Sequence, residues 1–221
     1  MSKDHKNCLD YTQFPSSFLA QHQSYQPGIE SEMMPLPIFD DPCYVGCNRL
    51  LNKVALITGG DSGIGRAVAV AFAKEGAKLA ISYLYEEEDA KKTKSIIESY
   101  GSECLLLPGD IRSKEHCDQI VKATYEHYGS LDILINNAAV QFPQDDFQNI
   151  SEAQLETTFA INVFPVFYLS QAALNYMKSG STIINTASIT AYEGEQKLID
   201  YSATKGALVA FTRSLKSYPI A

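Results

Sequence analysis

The sequence predicts an α/β fold built on a doubly wound parallel sheet. Three observations carry this. Short apolar runs of strand length alternate along the chain with stretches of helical periodicity. The first run, Val54 to Ile57, is continuous and apolar, as a strand buried on both faces requires. Gly59, Gly63 and Gly65 follow at once, and a helical pattern follows them. Strand, glycine turn and helix in that order open a βαβ unit.

The elements then come in sequence. Ile64, Ala67, Val68, Ala71 and Phe72 share one helical face, which is expected to turn to the core. Lys78 to Leu84 predicts a second strand, and Glu86 to Tyr100 a helix whose opening acids suit a helix N-terminus. Cys104 to Leu107 is a third strand. Ser113 to Tyr128 is a helix with Cys117, Ile120, Val121, Thr124, Tyr125 and Tyr128 on one face. Leu131 to Ile135 is a fourth strand. Ser151 is a candidate N-cap for a helix that turns Leu155, Phe159, Val163 and Phe167 inward. Pro165 lies within that pattern and predicts a kink or break around Ile161 to Phe164, because it lacks a donor and presses on the preceding turn. Thr182 to Asn185 is a fifth strand, and Tyr201 to Lys216 a last helix with Ala207, Leu208, Phe211 and Leu215 inward. Right-handed crossovers make this a Rossmann-type sheet of order 3-2-1-4-5, with the fifth strand at an edge.

Residues 1–48 lack sustained periodicity and contain Gln26-Pro27-Gly28 and Met34-Pro35-Leu36-Pro37. Proline fixes φ and extends its predecessor, so an irregular arm is expected here, partly ordered on the surface of a domain spanning 49–221. A disordered tail is the alternative, but Ile29, Met33, Met34, Leu36, Ile38 and Phe39 are more apolar than such tails usually are.

Composition narrows the function. At 221 residues one domain with a good core is the default. A formal net charge of −8 argues against nucleic acid or an anionic membrane as partner. No signal peptide and no run apolar enough to span a bilayer is evident, so the expected location is the cytoplasm. Cys8, Cys43, Cys47, Cys104 and Cys117 are odd in number and scattered, which predicts reduced thiols. Cys43 and Cys47 lack further ligands to complete a metal site, and none is expected.

The glycine turn is the first candidate site. Its glycines allow close approach of the backbone, and the following helix N-terminus offers N–H groups to a pyrophosphate. Tyr201 and Lys205 form the second, standing at i and i+4 on one helix face. An ammonium close to a phenol favours the phenolate, which makes Tyr201 a candidate acid/base. Alone, this spacing is an ordinary surface pattern. Ser188, just past the fifth strand, would share the carboxyl edge of the sheet with the glycine loop.

Taken together, Thr58-Gly59-x-x-x-Gly63-Ile64-Gly65, Asn136-Asn137-Ala138-Ala139, Asn162, Ser188 and Tyr201-x-x-x-Lys205 resemble the short-chain dehydrogenase/reductase family in order and spacing, from about Asn52 to Ser214. The Gln-Pro-Gly arm and the Gly59-Gly60-Asp61-Ser62 loop look like a bacterial subgroup with an N-terminal extension. The resemblance implies hydride transfer between NAD or NADP and a small secondary alcohol or carbonyl. It implies Tyr201 as proton donor, Ser188 as the group orienting the substrate oxygen, Lys205 on Tyr201 and the nicotinamide ribose, and Asn162 holding a relay water. It implies cofactor contacts from Gly59, Asp61, Ser62, Gly63, Ile64, Gly65, Asp110, Ile111, Asn137, Ala138 and Ala139, with Ile189 near the nicotinamide. It also implies a homotetramer or homodimer.

Two departures from the family stand out. Position 139 is Ala where the family usually has Gly. After Leu215 the chain stops at Ala221, where family members continue through a sixth strand, a lid and a seventh strand. A C-terminally truncated chain is therefore expected to turn over poorly. The rival reading is a non-catalytic dinucleotide-binding remnant or regulator. NAD is favoured over NADP, because neither the end of the second strand nor Gly60 to Ser62 offers a cation for a 2′-phosphate, and Asp61 and the acidic run after Tyr85 oppose one.

Overall fold

The computed structural model describes residues 8–9, 14–17, 19–216 and 218. The remaining positions of the arm's first 18 residues, and Ser217 and Pro219 to Ala221, lie outside the described residues.

Five parallel strands, β1 (Val54–Thr58), β2 (Lys78–Tyr83), β3 (Cys104–Pro108), β4 (Ile133–Asn136) and β5 (Thr182–Asn185), form one sheet of order β3-β2-β1-β4-β5. In register, Leu56 lies beside Ala80 on one side and Leu134 on the other. Helices α1 (Gly63–Lys74), α2 (Glu87–Ser99), α3 (Lys114–Tyr128), α4 (Glu152–Asn162), α5 (Phe164–Leu174), α6 (Thr190–Glu193) and α7 (Ile199–Leu215) complete the domain.

The strand period of two sorts the core into two layers. Ala55, Ile57, Leu79, Ile81, Ile133 and Ile135 pack with Ala69 and Ala73 of α1 and Ile97 of α2. Leu56, Ala80 and Leu134 point the other way, onto Cys117, Ile120 and Val121 of α3 and Leu169 and Ala173 of α5. All five residues of β1 are buried, so its unbroken apolar run follows from cover on both faces. The order reverses between β1 and β4, which places a crevice at their carboxyl ends.

Several helices end as the sequence predicts. Ser113 Oγ accepts from the His116 amide and caps α3, and Ser151 Oγ accepts from the Gln154 amide and caps α4. The break at Pro165 is present, since α4 ends at Asn162 and α5 begins at Phe164.

Two helical faces differ from expectation. In α1 the fully buried residues are Gly65, Arg66, Ala69, Val70 and Ala73, whereas Ile64 is 68% exposed. Small alanines let α1 sit close on the sheet. Arg66 is covered from outside by the arm and by α2. Ile64 lies in the first turn, over the crevice rather than over the strands. In α4 and α5, Val163 is buried, but Leu155 and Phe167 are exposed, and Thr158, Asn162, Val166 and Leu169 take the inner positions. The break at Val163 shifts the rotational phase, so one periodic stripe cannot run through both helices. The stretch Glu152–Leu174 is long and apolar enough to cross a membrane by length and composition, but half of it is buried inside this fold.

The arm follows the outer ends of α1 and α2. Lys74 bonds Asp40 and the Asp41 carbonyl, and Tyr100 donates to Asp40. The Glu75 carboxylate accepts from the amides of Cys47 and Arg49 and from the Arg49 side chain. The expectation of five reduced thiols is corrected at one pair, because Cys8 and Cys43 are joined by a disulfide. Scattered spacing cannot show that an irregular arm folds back on itself. Cys47, Cys104 and Cys117 are free, and burial pushes the thiols of Cys104 and Cys117 up to about 12.

Candidate active site

A cavity of about 460 Å³ opens along the carboxyl ends of β1, β2, β3 and β4. This is within the size range of small-molecule sites. The loop after β1 forms its floor. Gly65 is obligatory there, because a Cβ at that position would lie 1.8 Å from the Gly59 carbonyl oxygen. Gly59 has φ +61°, a conformation that L side chains rarely adopt. The α1 N-terminus can therefore approach the turn closely.

Thr58 and Asn137 hold the two strand ends together. Thr58 Oγ1 accepts from the amides of Asn137 and Ala138 at 3.0 and 3.1 Å. Asn137 Nδ2 donates back to the carbonyls of Thr58 and Gly59 at 3.1 and 3.2 Å. Thr186 Oγ1 donates to Asn137 Oδ1 at 3.3 Å, which brings in the end of β5.

Helix α7 brings Tyr201 and Lys205 to the cavity wall. Its first turn is fixed by buried Asp200, whose Oδ2 accepts from Thr158 Oγ1 at 2.8 Å and from Gln154 Nε2 at 3.0 Å. Lys205 is buried, donates to the Thr186 carbonyl at 2.7 Å, and has Nζ 5.5 Å from the centre of the Tyr201 ring. Burial pushes the Lys205 ammonium down to about 8. Asn162 Oδ1 accepts from the Val140 amide, and its Nδ2 donates to the Val140 carbonyl, both at 2.8 Å, with Thr204 Oγ1 3.2 Å away. Asn162 thus ties α4 to the segment after β4 and to α7. Ser188 lies between β5 and α6, and its Oγ is 3.0 Å from Thr190 Oγ1 and accepts from the Thr190 amide.

Of the residues singled out by sequence, Gly59, Asp61, Ser62, Ile64, Asp110, Ile111, Asn137, Ala138, Ala139, Tyr201 and Lys205 line this one cavity. Gly63, Gly65, Asn162, Ser188 and Ile189 do not form its wall. Asp110 is paired with Arg112, whose Nε lies 2.8 Å from Asp110 Oδ2 and holds the carboxyl below the usual carboxylate range.

Other wall residues were not named as cofactor contacts. Gln26 and Pro27 come from the arm, and Ser82 and Glu86 from the end of β2 and the turn beyond it. Ser82 Oγ and Glu86 Oε1 are buried without a hydrogen-bond partner. Glu86 belongs to the acidic run expected to oppose a 2′-phosphate, and the fold turns it toward the crevice. Asp61 is buried, and that burial, with Glu86 and Asp89 nearby, pushes its carboxyl up to about 6.

These features fit a dinucleotide. The glycine loop leaves room for a pyrophosphate at a helix N-terminus. Two unpaired buried oxygens beside β2 suit the hydroxyls of a ribose.

The sequence model of the short chain dehydrogenase family matches residues 53–218. An uncharacterised oxidoreductase of Bacillus subtilis is 57% identical over 195 residues, 88% of this chain and 68% of that protein. The likeness extends beyond bacteria: the chloroplastic NADPH-dependent aldehyde reductase 1 of Arabidopsis thaliana is 47% identical over 201 residues, 88% of this chain and 70% of that one. The crystal structure of a short chain dehydrogenase from Burkholderia cenocepacia in complex with NADP superposes with a TM-score of 0.74 at 33% identity, covering 76% of this chain and 69% of that one. Family match, relatives and fold agree, and the chain belongs to the short-chain dehydrogenase/reductase family of oxidoreductases.

Proposed function

We propose that this chain transfers hydride between a nicotinamide dinucleotide and a small substrate bearing a secondary alcohol or carbonyl. The observation that carries the reading is a single cavity joining the glycine loop after β1 to Tyr201 and Lys205 on α7. The dinucleotide, when bound, supplies the hydride carrier. In carbonyl reduction Tyr201 gives its phenolic proton to the substrate oxygen, and in oxidation it takes that proton back. Lys205 presents its ammonium to the nicotinamide ribose and sits beside the Tyr201 ring. Ser188 orients the substrate oxygen. Asn162 fixes the backbone at Val140 and serves the proton relay.

NAD is the favoured cofactor. Asp61 and Glu86 line the cavity near the end of β2, and the cavity's cations are Arg112, already paired with Asp110, and Lys205 at the other end. An acidic adenosine end accepts ribose hydroxyls and repels a 2′-phosphate. Two relatives carry the opposite choice, one a dehydrogenase solved in complex with NADP and one an NADPH-dependent aldehyde reductase. Homo-oligomerisation is proposed as well, because Leu155, Phe164 and Phe167 leave apolar side chains exposed on α4 and α5.

A second reading, dinucleotide binding without turnover, draws on Ser188, whose hydroxyl is engaged by Thr190 and stands off the cavity wall. One experiment separates the two. NADH and NADPH are titrated against the chain by fluorescence, and nicotinamide oxidation and reduction are followed over a panel of alcohols, aldehydes and ketones. Binding with slow turnover is expected, and tighter for NADH. Binding without turnover on any substrate favours the second reading, and binding of neither cofactor removes both.

A further inference from the structure

The Gln26-Pro27-Gly28 motif lies outside the residues the family model matches, yet the fold brings it to the cavity. Gln26 and Pro27 line the wall together with Ser82 and Leu84. The Pro27 carbonyl accepts from Tyr85 Oη at 2.9 Å, which fixes it at the carboxyl end of β2. A local clamp shapes this segment. Gln23 Oε1 accepts from the Ile29 amide at 2.7 Å, and Gln23 Nε2 donates to the Ile29 carbonyl at 2.8 Å. Gly28 lies inside the clamp, where a Cβ would stand 2.9 Å from Gln23 Oε1.

Just beyond the clamp, Glu30 is 3% exposed. One carboxylate oxygen accepts from the Gly63 amide at 2.7 Å, and the other is paired with Arg66 Nη1. Arg66 is fully buried. Its Nε donates to Thr93 Oγ1 at 2.6 Å and to the Asp61 carbonyl at 3.0 Å, and its Nη2 reaches Asp89 Oδ1 at 3.2 Å. The Glu30 amide donates to Asp89 Oδ2 at 3.1 Å. One guanidinium therefore fastens the arm, the glycine loop and α2 together. A buried guanidinium stays charged, so burying it is costly unless anionic partners surround it.

We propose that arm residues 23–30 are part of the dinucleotide site, with Gln26 and Pro27 walling its adenosine half and Glu30 acting as a positioning residue through Arg66. This rests on the dinucleotide reading above. The half is assigned by topology. Tyr201 and Lys205 sit with Thr186 beyond β5, so the reacting nucleotide lies on the β4–β5 side. Pro27 is held by Tyr85 just past β2, and Gln26 precedes it, on the β2–β3 side where the other half must lie.

The test uses the full chain and two probes, ADP-ribose for the adenosine half and reduced nicotinamide mononucleotide for the other. Glu30→Gln keeps the shape and removes the negative charge that pairs with Arg66. Tyr85→Phe frees the Pro27 carbonyl from a site outside the buried cluster. ADP-ribose affinity is expected to fall about tenfold in Glu30→Gln and several-fold in Tyr85→Phe, with the mononucleotide bound as in the wild type and Glu30→Asp restoring part of the loss. On the wild type alone, ADP-ribose is expected to slow hydrogen exchange at the amides of Gly28, Ile29 and Glu30. Unchanged ADP-ribose affinity, equal losses for both probes, or unchanged exchange at these amides overturns the proposal. Failure of the wild type to bind either probe instead overturns the dinucleotide reading itself.

Discussion

Lys205 shows what the site costs the fold. Burial alone pulls its value from 10.5 to about 8. Below pH 8 the residue is charged in both folded and unfolded chains, and the penalty for burying that charge is fully present. Between about 8 and 10.5 the unfolded chain holds the proton and the folded chain does not, so this residue's contribution makes stability rise with pH. Lys205→Met removes the penalty and forfeits one bond to Thr186. The variant is predicted to be more stable than the wild type by about 2 kcal/mol at pH 7, with the gap closing toward pH 10, read from urea unfolding at each pH. Its dinucleotide affinity is predicted to fall at the same time. Tyr201 and Lys205 were legible because i, i+4 spacing survives in any helix. Arg66 was not legible as a hub. In sequence it is one more basic residue after a glycine turn, and its partners, Glu30 and Asp89, come from distant segments.

The same tension runs through the glycine loop. Asp61 has its carboxyl raised from 3.8 to about 6, mainly by burial. Between those values the folded chain holds the proton and the unfolded chain does not, so this residue's contribution makes stability fall as pH rises. Asp61→Asn is predicted to gain roughly 1–3 kcal/mol at pH 7, with the gain shrinking below pH 6. It is also predicted to narrow the preference for NADH over NADPH in parallel titrations. Gly65→Ala drives a methyl into the Gly59 carbonyl and is predicted to cost about 1–3 kcal/mol in unfolding experiments. Element types and most boundaries could be read from periodicity and caps. Which face of α1, α4 and α5 is buried could not, because burial of α1 depends on the arm and the phase of α5 depends on the break at Val163.

At the scale of the molecule, the strand order was legible from alternation and crossover handedness alone. The course of the arm was not. Its contacts are single polar anchors on α1 and α2 rather than a periodic face, and its disulfide joins positions 35 residues apart. Leu155, Phe164 and Phe167 are exposed on α4 and α5, and the homo-oligomer proposed above would bury them. Sedimentation is predicted to give a dimer or larger assembly for the wild type and a smaller species for Leu155→Glu with Phe164→Glu. A monomeric wild type contradicts this. The role proposed for Tyr201 is that of proton donor to the substrate oxygen. It is tested most directly by turnover of Tyr201→Phe on a substrate found active with the wild type, measured beside its NADH affinity. A loss of about 100-fold or more in turnover is predicted, with NADH affinity nearly unchanged, since only the proton donor is removed. Turnover close to that of the wild type contradicts it.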